Sequence, residues 1–242
     1  KTMSEAVEVL RQFKGFSYFT EMSDIINRLE DHVASARMKT TPVIDFEKNE
    51  SLKGLDYLDT IYHAIVNEHP IQLKYRSFKA RSANNFIFYP YLLKEYRNRW
   101  FVYGVRGNGR ILQNLALDRI QSLEVLPQEH YIKNTFFDPN TFFDDLVGVT
   151  KNTGSVAEKV GFKVAAAEAP YIITKPIHRS QQVVERLADG SVILEIEVVI
   201  NHELERVFFG YAEGIQVLYP KTLVELMGRK LKKAAEQYTH SK

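Results

Sequence analysis

The chain has 242 residues, a formal net charge of +2, 45% hydrophobic and 26% charged residues, and no cysteine. This length permits one large or two small domains, and the composition is that of an ordinary globular protein. Near-neutral charge excludes bulk attraction to nucleic acid, so any such site is a local patch, and the lack of cysteine excludes disulfides and thiolate metal sites, in accord with a cytoplasmic protein.

The chain opens on Lys1 rather than methionine, which points to a fragment. No signal peptide is visible at its start, and no apolar run approaches the ~20 residues of a membrane span. Residues 4–14 read as a helix with Ser4 as N-cap and Ala6, Val7, Val9, Leu10 and Phe13 as its apolar stripe. Residues 20–35 read as a second helix, with Met22, Ile25, Ile26, Leu29 and Val33 on one side and Glu21, Asp24, Arg28, Glu30 and Asp31 elsewhere. Two short helices cannot build a core alone, so they dock on the body of the chain or on a second copy. Residues 42–46 read as a short strand.

Leu55, Leu58, Ile61, Tyr62 and Ile65 recur at helical spacing, and Pro70 stops that helix. Residues 71–76 then alternate as a half-buried strand. Residues 86–93, 99–105, a run beginning near Arg110, and 120–126 read as further strands. Gly107-Asn108-Gly109 supplies the positive φ angles of a tight hairpin. Five short strands with turns between them predict a small closed or partly open barrel. Residues 127–147 are irregular but carry Tyr131, Phe136, Phe137, Phe142 and Phe143, as a segment that wraps a surface and inserts rings.

The polar stretch 150–156 is the expected domain boundary. Beyond it, residues 156–165 read as a strand, 168–175 as a short helix or turn, and 181–187 with 191–199 as a hairpin about Asp189-Gly190. A helix over 203–211, a strand over 215–218 and a last helix over 222–238, capped by Thr222, complete the chain. The basic run Arg229, Lys230, Lys232, Lys233 lies toward the C-terminal end of that helix, where positive charge complements the dipole.

Enzymatic constellations are missing. The seven histidines are scattered, without the helical spacing used by many zinc sites. The glycines of 104–109 join two strands, whereas a phosphate-cradling loop leads into a helix. Neither an enzyme nor a cofactor is expected. Instead the strand region interleaves arginine with aromatic residues: Tyr75 and Arg76, then Trp100 and Tyr103, then Arg106, Arg110 and Arg119. Guanidinium groups fork onto phosphates and rings stack on bases, so this face suits a nucleotide or single-stranded nucleic acid. Trp100 and Tyr103 suit the core equally well, and Arg119 suits a structural ion pair with Asp118.

A Tyr in the first strand, Pro90-Tyr91-Leu92, Arg99-Trp100-Phe101-Val102 and Leu115-Ala116-Leu117-Asp118-Arg119-Ile120 together resemble the WYL domain of bacterial transcriptional regulators. The order of Pro176 to Gln181, Phe208-Phe209-Gly210 and Val217 to Pro220 resembles the C-terminal extension that follows it. The resemblance implies an α+β chain: helical linker and dimerisation segment 1–53, a WYL Sm-like β-barrel over 54–149, and an α+β extension over 150–242. It implies a ligand-sensing region, a homodimer, and DNA contacted through an N-terminal winged helix that this chain lacks. Tyr75 and Arg119 match the family pattern; the other candidates rest on chemistry alone. The chain departs from the pattern at Phe86 and Ala116, where the family usually has Arg, and at Phe101, where it has Tyr. A stand-alone single-stranded nucleic-acid-binding module is the other reading.

Overall fold

The computed structural model describes residues 53–107, 109 and 111–239. The expected helices over 4–14 and 20–35 and the strand over 42–46 lie outside the described residues. The chain divides into two compact units, Lys1–Phe136 and Phe137–Lys242.

In the first unit a 3-10 turn, Leu55–Tyr57, runs into helix α1, Leu58–Val66. Gly54 enters that turn with φ +84°, and a Cβ there would fall 2.3 Å from the Leu117 carbonyl oxygen, so glycine alone permits this approach. The helix closes where His69 N–H donates to the Ala64 carbonyl. Strands β1 (Ile71–Tyr75), β2 (Asn84–Tyr96), β3 (Arg99–Arg106), β4 (Leu112–Ala116) and β5 (Ile120–Val125) follow. They form one antiparallel sheet in the order β4-β3-β2-β1-β5. Leu58 and Ile61 of α1 pack with Ile71, Leu73, Phe88 and Val102 of the sheet as the core.

No hydrogen-bonded ladder joins β4 to β5 among the described residues, so the sheet keeps two edges instead of closing into a ring. It is nevertheless curled. In a flat sheet four spacings would separate β4 from β5 by roughly 19 Å. Only the 3-10 turn Leu117–Arg119 links them, and such a turn rises about 2 Å per residue. This turn therefore brings the end of β4 close to the start of β5.

The other side of β2 is covered by aromatic rings from 131–136. Tyr131 donates its hydroxyl to the Pro90 carbonyl, and Phe136 stacks on Tyr91 with centroids 6.2 Å apart. The segment after Phe136 belongs to the second unit. Val199 N–H donates to Asp145 O at 2.8 Å, and Asn201 Nδ2 donates to Val147 O and Thr150 O. The compact units part at 136/137, and residues 145–150 are tied by these bonds to Val199 and Asn201, between β8 and α3.

The second unit contains β6 (Glu158–Val164), α2 (Ala169–Thr174), β7 (Gln182–Arg186), β8 (Val192–Val198), α3 (His202–Gly210), β9 (Ile215–Tyr219) and α4 (Lys221–Thr239). Its sheet is antiparallel in the order β7-β8-β6-β9. Val192, Leu194, Ile196 and Val198 alternate inward along β8 and meet Phe162, Ile172, Leu204, Phe208, Leu223 and Met227. Asn201 caps α3 by accepting from Leu204 N–H. The last helix starts at Lys221, so Thr222 lies inside it rather than at its cap.

Candidate ligand-binding site

The corner where β4 passes into β5 carries the site. Arg76 follows the end of β1, and its N–H donates to the Arg119 carbonyl at 3.1 Å, which ties the two arginines' backbones together. Residues 76–78 and 118–121 enclose a cleft of about 320 Å³ lined by Arg76, Phe78, Asp118, Arg119 and Gln121, with Ser77 and Ile120. The Phe78 ring is 73% exposed, and the Arg119 guanidinium lies over it at 4.5 Å from the centroid. That is cation–π geometry, which holds a charge beside an open aromatic face.

Asp118 sets the electrostatics of the floor. Its carboxylate is 3.2 Å from Arg99 Nε and 3.8 Å from Arg119 Nε, so the ion pair anticipated between Asp118 and Arg119 is present but shared. Asp118 Oδ1 and Arg119 Nε are both buried and have no hydrogen-bond partner. These two atoms face each other at 3.8 Å, so each is met by opposite charge although neither is hydrogen-bonded. Beside them, burial pushes the Tyr75 hydroxyl up from its ordinary value, while the Arg119 guanidinium pulls it part of the way back. With its pKa raised, the Tyr75 phenol stays protonated at pH 7.

A second cation stands along the same sheet face. Phe88 pairs with Arg106 across the β2–β3 ladder, and the Arg106 guanidinium stacks over the Phe86 ring at 4.0 Å. Phe86 in turn meets Tyr75 edge-on at 6.4 Å. A row thus runs Arg106, Phe86, Tyr75, Arg119, Phe78. Phe86 occupies a position where the WYL pattern usually has Arg, and a guanidinium from the neighbouring strand lies over it.

Of the residues expected from sequence, Arg76 and Arg119 line the cleft, while Tyr75 and Arg106 continue the row beside it through Phe86. Trp100 does not line the cleft; half-buried, it packs against the core under α1. Tyr103 does not line it either. It is 2% exposed, and strand alternation turns it away from the face that carries Val102. Arg110 lies outside the described residues. Sequence reading missed Phe78, whose only signal is a lone aromatic among Arg76, Lys79 and Arg81, and it missed the floor role of Asp118. Among the described residues no group of three or more metal-ligating side chains occurs, and no helix is long and apolar enough to cross a membrane.

These features agree with the family models. Residues 56–125 match the WYL domain and residues 157–235 the WCX domain. The chain thus carries a WYL domain followed by a WCX domain. Among solved structures it is similar to proteasome accessory factor B/C (PafBC) of Arthrobacter aurescens, at 16% identity and a TM-score of 0.31, covering 79% of this chain and 28% of that one. It is also similar to a CRISPR Cas-related protein, at 11% identity and a TM-score of 0.46, covering 77% of this chain and 52% of the other. The chain thus spans about a quarter and a half of these two proteins. No curated protein matches it.

Proposed function

We propose that the chain is the ligand-sensing and dimerising region of a DNA-binding transcriptional regulator, and that a nucleotide-like or single-stranded nucleic-acid effector binds in the cleft between Arg76 and Arg119. The observation that carries this reading is the Arg119 guanidinium held over an exposed Phe78 at the mouth of that cleft. The arginines suit a phosphate, and the open face of Phe78 suits a base. Arg106 over Phe86 extends the cationic row for a longer ligand and stands in for the arginine the family usually places there.

The Sm-like barrel belongs to the same reading. The curl that brings β4 to β5 through three residues supports it. Binding acts by population shift: an effector that prefers one packing of the dimer moves a winged-helix head on the N-terminal side into or out of DNA-binding position. No catalytic step is assigned. The exposed Phe78 also favours a second reading, a module that binds single strands for its own sake.

Titration with nucleotides and short labelled single strands at two salt concentrations tests the site. Binding that weakens with salt, and at least tenfold on Arg119→Ala, supports it. In a protein that includes the head, an operator affinity that changes with effector selects the regulator; unchanged affinity selects the stand-alone module. Binding indifferent to Arg119→Ala removes both.

A further inference from the structure

The cleft carries an anion of its own. Among the described residues that line it, Asp118 is the one carboxylate, and it stands between two guanidinium groups. Each of its oxygens faces a different arginine. Oδ2 lies 3.2 Å from Arg99 Nε, and Oδ1 lies 3.8 Å from Arg119 Nε. The second pairing is the looser one, and neither Oδ1 nor Arg119 Nε finds a hydrogen-bond partner. The Asp118 side chain is 10% exposed, so water screens its charge little.

The two arginines differ in place. Arg119 lines the cleft, with its guanidinium over the Phe78 ring. Arg99 opens β3, is exposed, and stands outside the lining. A ligand phosphate that reaches Arg119 therefore meets a cation already faced by a carboxylate. Two anions on one guanidinium repel each other. Charge-assisted bonds from arginine to phosphate form at about 2.7–2.9 Å, closer than Oδ1 stands. The looser pairing is the one that gives way. Asp118 keeps a counter-charge when it does, because Arg99 faces its other oxygen.

We propose that Asp118 is a built-in competitor for the ligand's phosphate at Arg119, and that Arg99, outside the cleft, is the positioning residue that holds this competitor back. The proposal rests on the ligand-binding reading above and adds how the affinity of that site is set. Without ligand the carboxylate is shared; with ligand it turns to Arg99 alone. Occupancy of the cleft is thereby passed to the first residue of β3, beside the β2–β3 turn. A purely structural role predicts the opposite sign. If Asp118 braced Arg119 over Phe78, removing its charge would weaken binding.

Fluorescence anisotropy with a labelled single-stranded oligothymidylate tests this on the full chain, Asp118→Asn, Arg99→Gln and the double variant. Asp118→Asn should tighten binding about fivefold, and Arg99→Gln should weaken it by about the same factor. In the Asp118→Asn background, Arg99→Gln should cost nothing further, because Arg99 acts through the carboxylate. An equal loss on Arg99→Gln in both backgrounds means a through-space field and overturns the proposal. Weaker binding by a folded Asp118→Asn chain overturns it as well. If Asp118→Asn does not fold by circular dichroism, Arg97→Gln is the control. It removes the same charge from an exposed arginine that lies over Tyr96. A loss equal to that of Arg99→Gln then overturns the proposal. In NMR the Arg99 Nε–Hε signal should move with the oligonucleotide; a signal that stays in place while Arg119 moves overturns the exchange. A parent chain that does not bind the oligonucleotide, or binds it as well after Arg119→Ala, overturns the ligand-binding reading too. The other outcomes leave that reading standing.

Discussion

The guanidinium of Arg119 rests 4.5 Å from the ring centroid of Phe78, and the same arginine's backbone carbonyl accepts from Arg76 N–H. One residue therefore joins the two walls of the cleft. The β4–β5 corner supplies Arg119, and the loop after β1 supplies Arg76 and Phe78.

If the open face of Phe78 receives a base, Phe78→Ala should weaken single-stranded DNA binding by the ~1–3 kcal/mol that a base–aromatic stack contributes. Competition by inorganic phosphate, which has no ring, should change little, because Arg76 and Arg119 remain. Fluorescence anisotropy with and without phosphate separates the two losses. Equal losses for both ligands would mean that Phe78 only braces Arg119.

Arg106 over Phe86 lies further along the row and has a different expected signature. Arg106→Gln should leave mononucleotide binding nearly intact but weaken longer strands. It should also reduce the salt slope of their binding by about one ion. An unchanged slope would mean that the guanidinium packs on the ring without meeting a phosphate.

How far was this site legible in the sequence? Strand order along the chain was, since Ile71, Leu73, Phe88 and Val102 alternate inward as their spacing requires. The alternation of β8 and the hairpin about Gly190, φ +81°, were equally plain. The turn at Arg97 and Asn98 takes positive φ at both residues without any glycine, so no residue type announced its backbone conformation. Tyr75, Arg76, Arg106 and Arg119 were named from residue type. Phe78 was not, because an aromatic in a polar loop means little until the arginine of the β4–β5 turn is laid over it. Trp100 and Tyr103 look the same in sequence whether they face the core or a ligand; only the register decides. The hydrogen bonds of Asn201 to Val147 and Thr150 join residues some fifty positions apart, which no local pattern in the sequence announces.

Gly104 sits where β3 crosses the irregularity between Pro90 and Leu92. A Cβ there would fall 2.1 Å from the Tyr89 carbonyl oxygen and 2.6 Å from Phe88 Cε1. Gly104→Ala must therefore push strand against strand, at a cost of about 1–3 kcal/mol or more. It should also disturb the ladder that sets Arg106 opposite Phe88. Urea denaturation should show the lower midpoint, and binding of long strands should fall with it; an unchanged midpoint would contradict this packing.

Burial, with the neighbouring Tyr89, pushes the Tyr91 phenol up to about 12, and its buried hydroxyl has no hydrogen-bond partner. An unfolded phenol titrates near pH 10, so the unfolded chain loses that proton first. The stability Tyr91 contributes to the folded state is full below about pH 10 and is lost as pH rises toward about 12. Tyr91→Phe should flatten part of the alkaline fall in Tm. At pH 7 it should not lower stability, because it removes an unpaired buried hydroxyl. A variant that is less stable at pH 7 and falls as steeply as the parent would refute both points.

The binding claim is tested most directly by the arginine Nε–Hε signals in NMR during titration with a short single-stranded oligonucleotide. The Arg76 and Arg119 signals should move in saturable fashion with one shared affinity, while those of Arg97 and Arg186 stay in place. Saturable binding that leaves Arg76 and Arg119 unmoved would contradict the assignment of the effector to this cleft.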